Sequence, residues 1–195
     1  MADIEGLHRI GRVENILARL EAREKRTGLA HVIIDTPRGS RNKFKYDEEL
    51  GCFRLSRILP AGLAFPCDFG SIPKTRAEDG DALDVLVLAE APSFPGCLIT
   101  VRLIGAITAR QSEKGKTVRN DRLIGVPQTP ANPARYRDLR EVHRDTLDEI
   151  EQFFVAYNAA QGRRFVPAGR VGHARAAQLL DAALARHAKN EGSGQ

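Results

Sequence analysis

The sequence contains no tryptophan and one methionine, and aromatic residues make up only 6% of it. A surface that binds nucleic acid by stacking needs exposed aromatics interleaved with basic residues. Here there are three Tyr, and the Phe residues fall mostly in apolar patterns. Nucleic acid is therefore disfavoured as a partner, although a formal charge of +5 suits an acidic or phosphate-rich ligand. No apolar run approaches the roughly 20 residues that cross a bilayer, and the first residues lack the apolar core of a secretory signal. These absences predict a cytoplasmic protein with no membrane partner. Cysteine is scarce: Cys52, Cys67 and Cys97 are odd in number, form no CxxC pair and have no organised His partners. They are expected to be reduced and mostly buried, which excludes a disulfide framework and a thiolate zinc site.

What is present is an ordinary globular balance, 42% hydrophobic and 28% charged over 195 residues, enough chain for one domain with a real core. The most informative stretch is Asp79-Gly80-Asp81-Ala82-Leu83-Asp84-Val85-Leu86-Val87-Leu88. Three carboxylates crowd into six positions and run straight into an unbroken apolar segment. If residues 79–81 are extended, Asp79 and Asp81 share a face about 6–7 Å apart. Such carboxylates raise one another's pKa unless a cation lies between them. Hard oxygen donors without His or Cys suit Mg²⁺ or Mn²⁺. A calcium loop of the EF-hand kind is excluded, because the positions that need an oxygen ligand and a Gly hold Leu83 and Asp84. The bland alternative is a solvated acidic turn before a buried strand.

Asp79-Gly80-Asp81-Ala82-Leu83-Asp84-Val85 resembles the signature of the soluble family I inorganic pyrophosphatases, D-x-D, two residues, then D and an aliphatic. Two upstream stretches match as well, Pro37-Arg38-Gly39-Ser40-Arg41-Asn42-Lys43 and Leu59-Pro60-Ala61-Gly62-Leu63-Ala64-Phe65-Pro66-Cys67-Asp68-Phe69-Gly70. The resemblance covers roughly residues 30–189. It implies a five-stranded β-barrel of the oligonucleotide-binding type with flanking helices. The residues themselves support an α+β chain, strand-rich first and helical later. The implied reaction is Mg²⁺-dependent hydrolysis of pyrophosphate to two phosphates by a metal-activated water, in a homo-oligomer. Asp79, Asp81 and Asp84 are implied metal ligands, with Asp81 the catalytic base. Lys43, Arg57, Arg122 and Tyr157 are implied to grip the phosphates.

Several positions depart from the family pattern. Asp35 stands for the usual Glu at the end of the strand His31-Val32-Ile33-Ile34. Lys45 stands where a Glu is usual, which replaces a possible metal ligand by a cation, and Asp47 is a possible substitute. Phe65 and Phe69 replace Tyr, removing donors, and Asn158 replaces Lys, with Arg163 and Arg164 as possible compensation. Near Arg122, ungapped counting puts Asn120 at a metal-binding position with Asp121 one residue later. Only one of two successive strand residues faces a given side, and charge selects Asp121 as the fourth metal ligand. These departures motivate two alternatives to the main reading: a divergent homologue with reduced or altered activity, and a nucleic-acid-binding barrel.

Residues 1–28 are expected to form an N-terminal helical extension, since Leu7, Ile10, Val13, Ile16, Leu17 and Leu20 recur at helical spacing over residues 5–26. Residues 29–190 then form the pyrophosphatase-like domain, and residues 191–195 a disordered tail. Residues 52–59 alternate as a half-buried strand. Residues 97–107 read as a β-rich run broken at Gly105, followed by a polar hairpin loop over residues 111–116. Thr146 and Glu149 fit a capping box, and Leu147, Ile150, Phe153, Phe154 and Tyr157 line one helix face. After a Pro/Gly connection, residues 174–189 form a second amphipathic helix with Leu179, Leu180, Ala183 and Leu184 inward.

Overall fold

The computed structural model describes residues 19–129, 131 and 133–192. Its strands are β1 (Ala30–Thr36), β2 (Asn42–Asp47), β3 (Cys52–Ile58), β4 (Asp68–Ile72), β5 (Leu83–Val87), β6 (Leu98–Glu113), β7 (Lys116–Arg119), β8 (Arg122–Pro127) and β9 (Arg164–Gly172). Two helices, α1 (Arg144–Ala159) and α2 (His173–Gly192), flank β9 in sequence. Five strands close on themselves: β1 pairs with β4, β4 with β5, β5 in parallel with β8, β8 with β6, and β6 returns to β1. This is the expected barrel, and closure leaves it without exposed edges along that ring.

The apolar run of β5 is explained by burial on both faces. Leu83, Val85 and Val87 pack with Val32, Ile34 and the α2 residues Leu179, Leu180 and Ala183. Leu86, on the opposite face, joins Phe65, Phe69, Ile124 and the α1 residues Ile150, Phe153 and Phe154. The period-2 alternation of a strand thus divides one apolar run between two clusters. All five expected inward residues of α1 are buried. The helix begins before Thr146, however, with the His143 ring accepting the Asp145 N–H at 3.3 Å as its cap.

Three local expectations are corrected. Gly105 does not break β6, a continuous 16-residue strand with a register shift at that point; a Cβ there would lie 2.4 Å from the Val171 carbonyl oxygen. The expected polar loop shrinks to Lys114-Gly115, both at positive φ, as a two-residue hairpin turn requires. The Pro/Gly connection is strand β9, paired along the second half of β6, where an edge position tolerates Pro167. The helix expected over residues 5–26 lies largely outside the described residues. Its described end is not helical: Arg23 forms a bridge with Ala30 and pairs with Asp181 at 2.7 Å. At the other terminus, α2 continues to Gly192. Of the cysteines, only Cys67 is buried and Cys52 is exposed.

Gly70 on β4 faces β1 so closely that a Cβ would sit 2.2 Å from the Ile33 carbonyl oxygen. Backbone cannot yield as a flexible side chain does, so Gly70→Ala is expected to destabilise the barrel by about 3 kcal/mol. Urea unfolding checks this; an unchanged midpoint would mean that β1 and β4 are not held at this separation.

The hairpin of β2 and β3 stands apart as its own two-stranded sheet. It is tied down where the Phe44 N–H donates to the buried Thr36 hydroxyl at 3.1 Å. Because it lies off the barrel, β3 is exposed along most of its length, with Leu55 and Ile58 open to solvent, rather than half-buried.

Candidate active site

The chain brings its charged motifs together on one side of the barrel, where the charges of Asp84, Lys43 and Lys45 act on Asp35. Asp35 lies near the end of β1, Asp84 at the start of β5 and Arg122 at the start of β8. The parallel register of β5 and β8 matches Val85 with Leu123, so the residues just before them, Asp84 and Arg122, stand side by side. Arg122 Nη1 is 2.5 Å from Asp84 Oδ2. The guanidinium is buried and lies over the rings of Phe154 and Phe165, at 5.1 and 5.8 Å. It also donates to Asn120 Oδ1. Its Nε–H is buried with no acceptor among the described residues.

The facing of residues 120 and 121 is the reverse of the expectation. Asn120 shares the side of Arg122, two residues on. Asp121 takes the other side, where Oδ1 accepts the Ala109 N–H at 3.1 Å and Oδ2 holds Arg119 Nε at 2.6 Å. Strand alternation forces the choice, and local partners rather than net charge decide it. Gln111, which drew no attention in the sequence, accepts from Asn120 Nδ2 at 3.1 Å. The two-residue turn at Lys114-Gly115 was the signal for it, since it sets the register that carries β6 back beside residue 120.

Asp79 and Asp81 are not on an extended segment. They sit in a turn at Gly80, whose φ of +96° favours glycine, and the Asp81 N–H donates to Asp79 Oδ1 at 3.2 Å. Both side chains are exposed, yet near enough for their charges to act on Asp84. Asp81 Oδ1 is 3.5 Å from Lys45 Nζ.

Lys43 and Lys45, two apart on β2, share a face of the hairpin, and Arg57 is the cross-strand partner of Lys43. Lys43 Nζ donates to the Tyr157 hydroxyl at 3.0 Å and lies 5.3 Å from the centres of the Phe69 and Tyr157 rings. Tyr157 is thus both a core residue, as its helical spacing indicated, and a polar contact. Arg57 and Tyr157 also line a cavity of about 110 Å³ with Leu59, Leu63 and Gln161. Asp47 is committed elsewhere: it accepts the Glu49 and Leu50 N–H groups and pairs with Arg54 at 2.9 Å. Asn158 is buried and donates to the Phe154 carbonyl, and Arg163 pairs with Glu113 at 2.9 Å. Arg38, in the first basic motif, is structural. Its N–H donates to buried Asp68 at 2.7 Å, and its guanidinium holds the carbonyls of Ala89 and Glu90.

The electrostatics of the cleft are those of anions crowded in a poorly hydrated place. Burial pushes the Asp35 carboxyl up to about 7; the Asp84 charge adds to the rise, and Lys43 and Lys45 oppose it. Asp84 is also raised, chiefly by burial and further by Asp79 and Asp81, with Arg122 and Lys43 acting against the rise. An oxygen-only set of this kind fits a hard divalent cation, which would relieve the repulsion. Among the described residues no three such groups converge as a ready ligand shell. Arg122 engages one oxygen of Asp84, and Lys45 engages Asp81. The Lys43 ammonium and its cross-strand partner Arg57 suit an anion with several acceptor oxygens.

Comparison with known proteins agrees with this chemistry. Residues 32–188 match the sequence profile of the family described as inorganic pyrophosphatase. An inorganic pyrophosphatase of Synechocystis sp. is 38% identical over 141 residues, covering 72% of this chain and 80% of that one. One from Thermus thermophilus is 37% identical over 148 residues, covering 76% and 82%. The crystal structure of the inorganic pyrophosphatase from Thermus thermophilus aligns with a TM-score of 0.79 at 35% identity, covering 88% of this chain and 98% of that one. The inorganic pyrophosphatase from Neisseria gonorrhoeae aligns with a TM-score of 0.78 at 28% identity.

Proposed function

This chain belongs to the inorganic pyrophosphatase family and is a diphosphatase of that kind; on that premise, we propose that it hydrolyses pyrophosphate to two phosphates in the cleft between the β2–β3 hairpin and the starts of β5 and β8, with Mg²⁺ as cofactor. The observation that carries the reading is the placement of Lys43, held by Tyr157, and of Arg122 near the partly buried carboxylates Asp35 and Asp84.

Pyrophosphate is a polyanion, and its hydrolysis develops charge on the bridging and attacking oxygens, so preorganised cations are the main source of acceleration. Lys43 and Arg122 would hold phosphate oxygens. Arg57, across the hairpin from Lys43, would close on the outer phosphate. Tyr157 fixes the Lys43 ammonium by accepting its N–H hydrogen bond at 3.0 Å. Phe65 and Phe69, both buried, give the cleft an apolar wall without hydroxyl donors.

Asp35, Asp79, Asp81 and Asp84 would hold the divalent cation, with Arg122 on one oxygen of Asp84. A divalent cation, when bound, supplies charge neutralisation and makes a water acidic enough to attack at neutral pH. Asp81, an exposed carboxylate and a potential proton acceptor, would take the proton of the attacking water. Asp121 is left out of the ligand set, because both its oxygens are engaged on the other side of β8.

Phosphate release from pyrophosphate is expected with Mg²⁺ and lost after chelation. Release that survives chelation would remove the cofactor from the proposal, and no release with any divalent cation would remove the proposal. Mg²⁺ at about tenfold its Kd should also stabilise the fold by about 1.4 kcal/mol. In a chain of this size that raises the melting temperature by roughly 3–5 °C. The shift should shrink in Asp84→Asn; a melting curve indifferent to millimolar Mg²⁺ would count against the site.

A further inference from the structure

Lys45 is the one basic residue of the hairpin that points its charge at the carboxylate turn without being committed elsewhere. Its cross-strand partner Arg54 is paired with Asp47 at 2.9 Å, and Lys43, two residues away, donates to Tyr157. Asp47, whose three acceptor contacts hold the turn of the hairpin, does not neutralise it. That leaves the Lys45 ammonium 3.5 Å from Asp81 Oδ1, with both side chains largely exposed, 64% and 73%.

We infer that Lys45 is a tethered cation which occupies Asp81 when no divalent ion is bound, competes with that ion for the carboxylate, and passes to a phosphate oxygen of the substrate once displaced. The inference rests on the proposed function, since it takes the cleft to be the place where cation and pyrophosphate meet.

The physical argument is one of competition at a single carboxylate. An ammonium and a divalent cation cannot both sit on Asp81 Oδ1 without strong repulsion. Binding of the ion must therefore break the Lys45 contact. The pair is solvated, and exposed ion pairs are worth little, so displacement is easy and the ion still binds. What remains after displacement is repulsion between the ion and an ammonium held nearby on a strand. The lysine stem has four rotatable carbons, and its head has three donors and no fixed geometry, so it can swing from Asp81 to an incoming phosphate. The face it shares with Lys43 already points that way. Lys45 thereby becomes a specificity-determining residue: it lowers the demand for metal in neutralising the substrate while weakening metal binding to the free enzyme.

The test is calorimetric titration of the full chain with Mg²⁺ alone, in wild type, Lys45→Met, Lys45→Glu, Lys45→Arg and Asp81→Asn. Lys45→Met is expected to tighten Mg²⁺ about threefold to tenfold and Lys45→Glu more than that, with Lys45→Arg close to wild type. In steady-state assays at low Mg²⁺, Lys45→Met should raise KM for pyrophosphate several-fold with a smaller change in kcat. Unchanged Mg²⁺ affinity in Lys45→Met, with affinity lost in Asp81→Asn, would overturn the inference and leave the proposed function standing. No Mg²⁺ binding by wild type or by Lys45→Met would overturn both.

Discussion

Replacing Arg122 with methionine is expected to lower pyrophosphate hydrolysis at least about 100-fold and to cost about 3 kcal/mol of stability. Methionine fills much of the volume over Phe154 and Phe165 and keeps an apolar contact with both rings, so packing is largely spared. What goes is the partner of Asp84, a carboxylate that is 22% exposed and already raised by burial. Removing one member of such a pair leaves the other charge uncompensated, which is why the cost exceeds that of a surface ion pair. Asn120 Oδ1 loses its donor as well. The catalytic loss would have a separate origin, the disappearance of the guanidinium proposed to hold a phosphate oxygen. The two effects separate in the double variant Arg122→Met/Asp84→Asn, which should recover most of the stability and none of the activity. Arg122→Met that unfolds more easily but hydrolyses at the wild-type rate would make Arg122 a structural residue only.

The second large effect is expected at Asp81. Asp81→Asn should reduce hydrolysis at least about 100-fold, the scale of losing a general base, while leaving the unfolding midpoint nearly unchanged. The side chain is 73% exposed, and its one ion pair, with Lys45, is of the solvated kind that contributes at most about 1 kcal/mol. The asparagine keeps the size of the side chain and the backbone N–H that donates to Asp79, so the turn at Gly80 stays closed. Activity and stability therefore part company here, in contrast to Arg122, where both fall. A variant that loses stability and keeps its rate would show that the acidic turn is a structural element.

Individual strands and helices were legible because their signals are local, whereas their closure into a barrel was implied only by the family resemblance. The β-branched run before Pro37, the apolar run of β5 and the helical spacing of Leu147, Ile150, Phe153, Phe154 and Tyr157 each fix one element by its own period. Strand β9 was obscured by Pro167 and Gly169, which punctuate a chain unless an edge position accommodates them. The hairpin of β2 and β3 was legible as two strands, but its position off the barrel depends on tertiary contacts that alternation does not encode.

At the site, residue types were readable and their facing was not. Arg122 pairs with Asp84 and Lys43 with Tyr157, whereas the choice between Asn120 and Asp121 turned on strand parity. Counting back two residues from Arg122 gives Asn120, whereas charge alone favours Asp121. Asp121 finds its cation in Arg119, two residues before it, a pairing that alternation also permits. Lys45 was visible as a misplaced charge, but its contact with Asp81 required the hairpin to be folded against the end of β1.

The most direct measurement is the ³¹P spectrum of the wild-type chain incubated with pyrophosphate. With Mg²⁺ present, the pyrophosphate resonance should give way to orthophosphate alone, two phosphates for each pyrophosphate consumed, and the conversion should stop when a chelator is added. A pyrophosphate resonance that persists unchanged with folded wild-type protein, whatever divalent cation is supplied, would contradict the account.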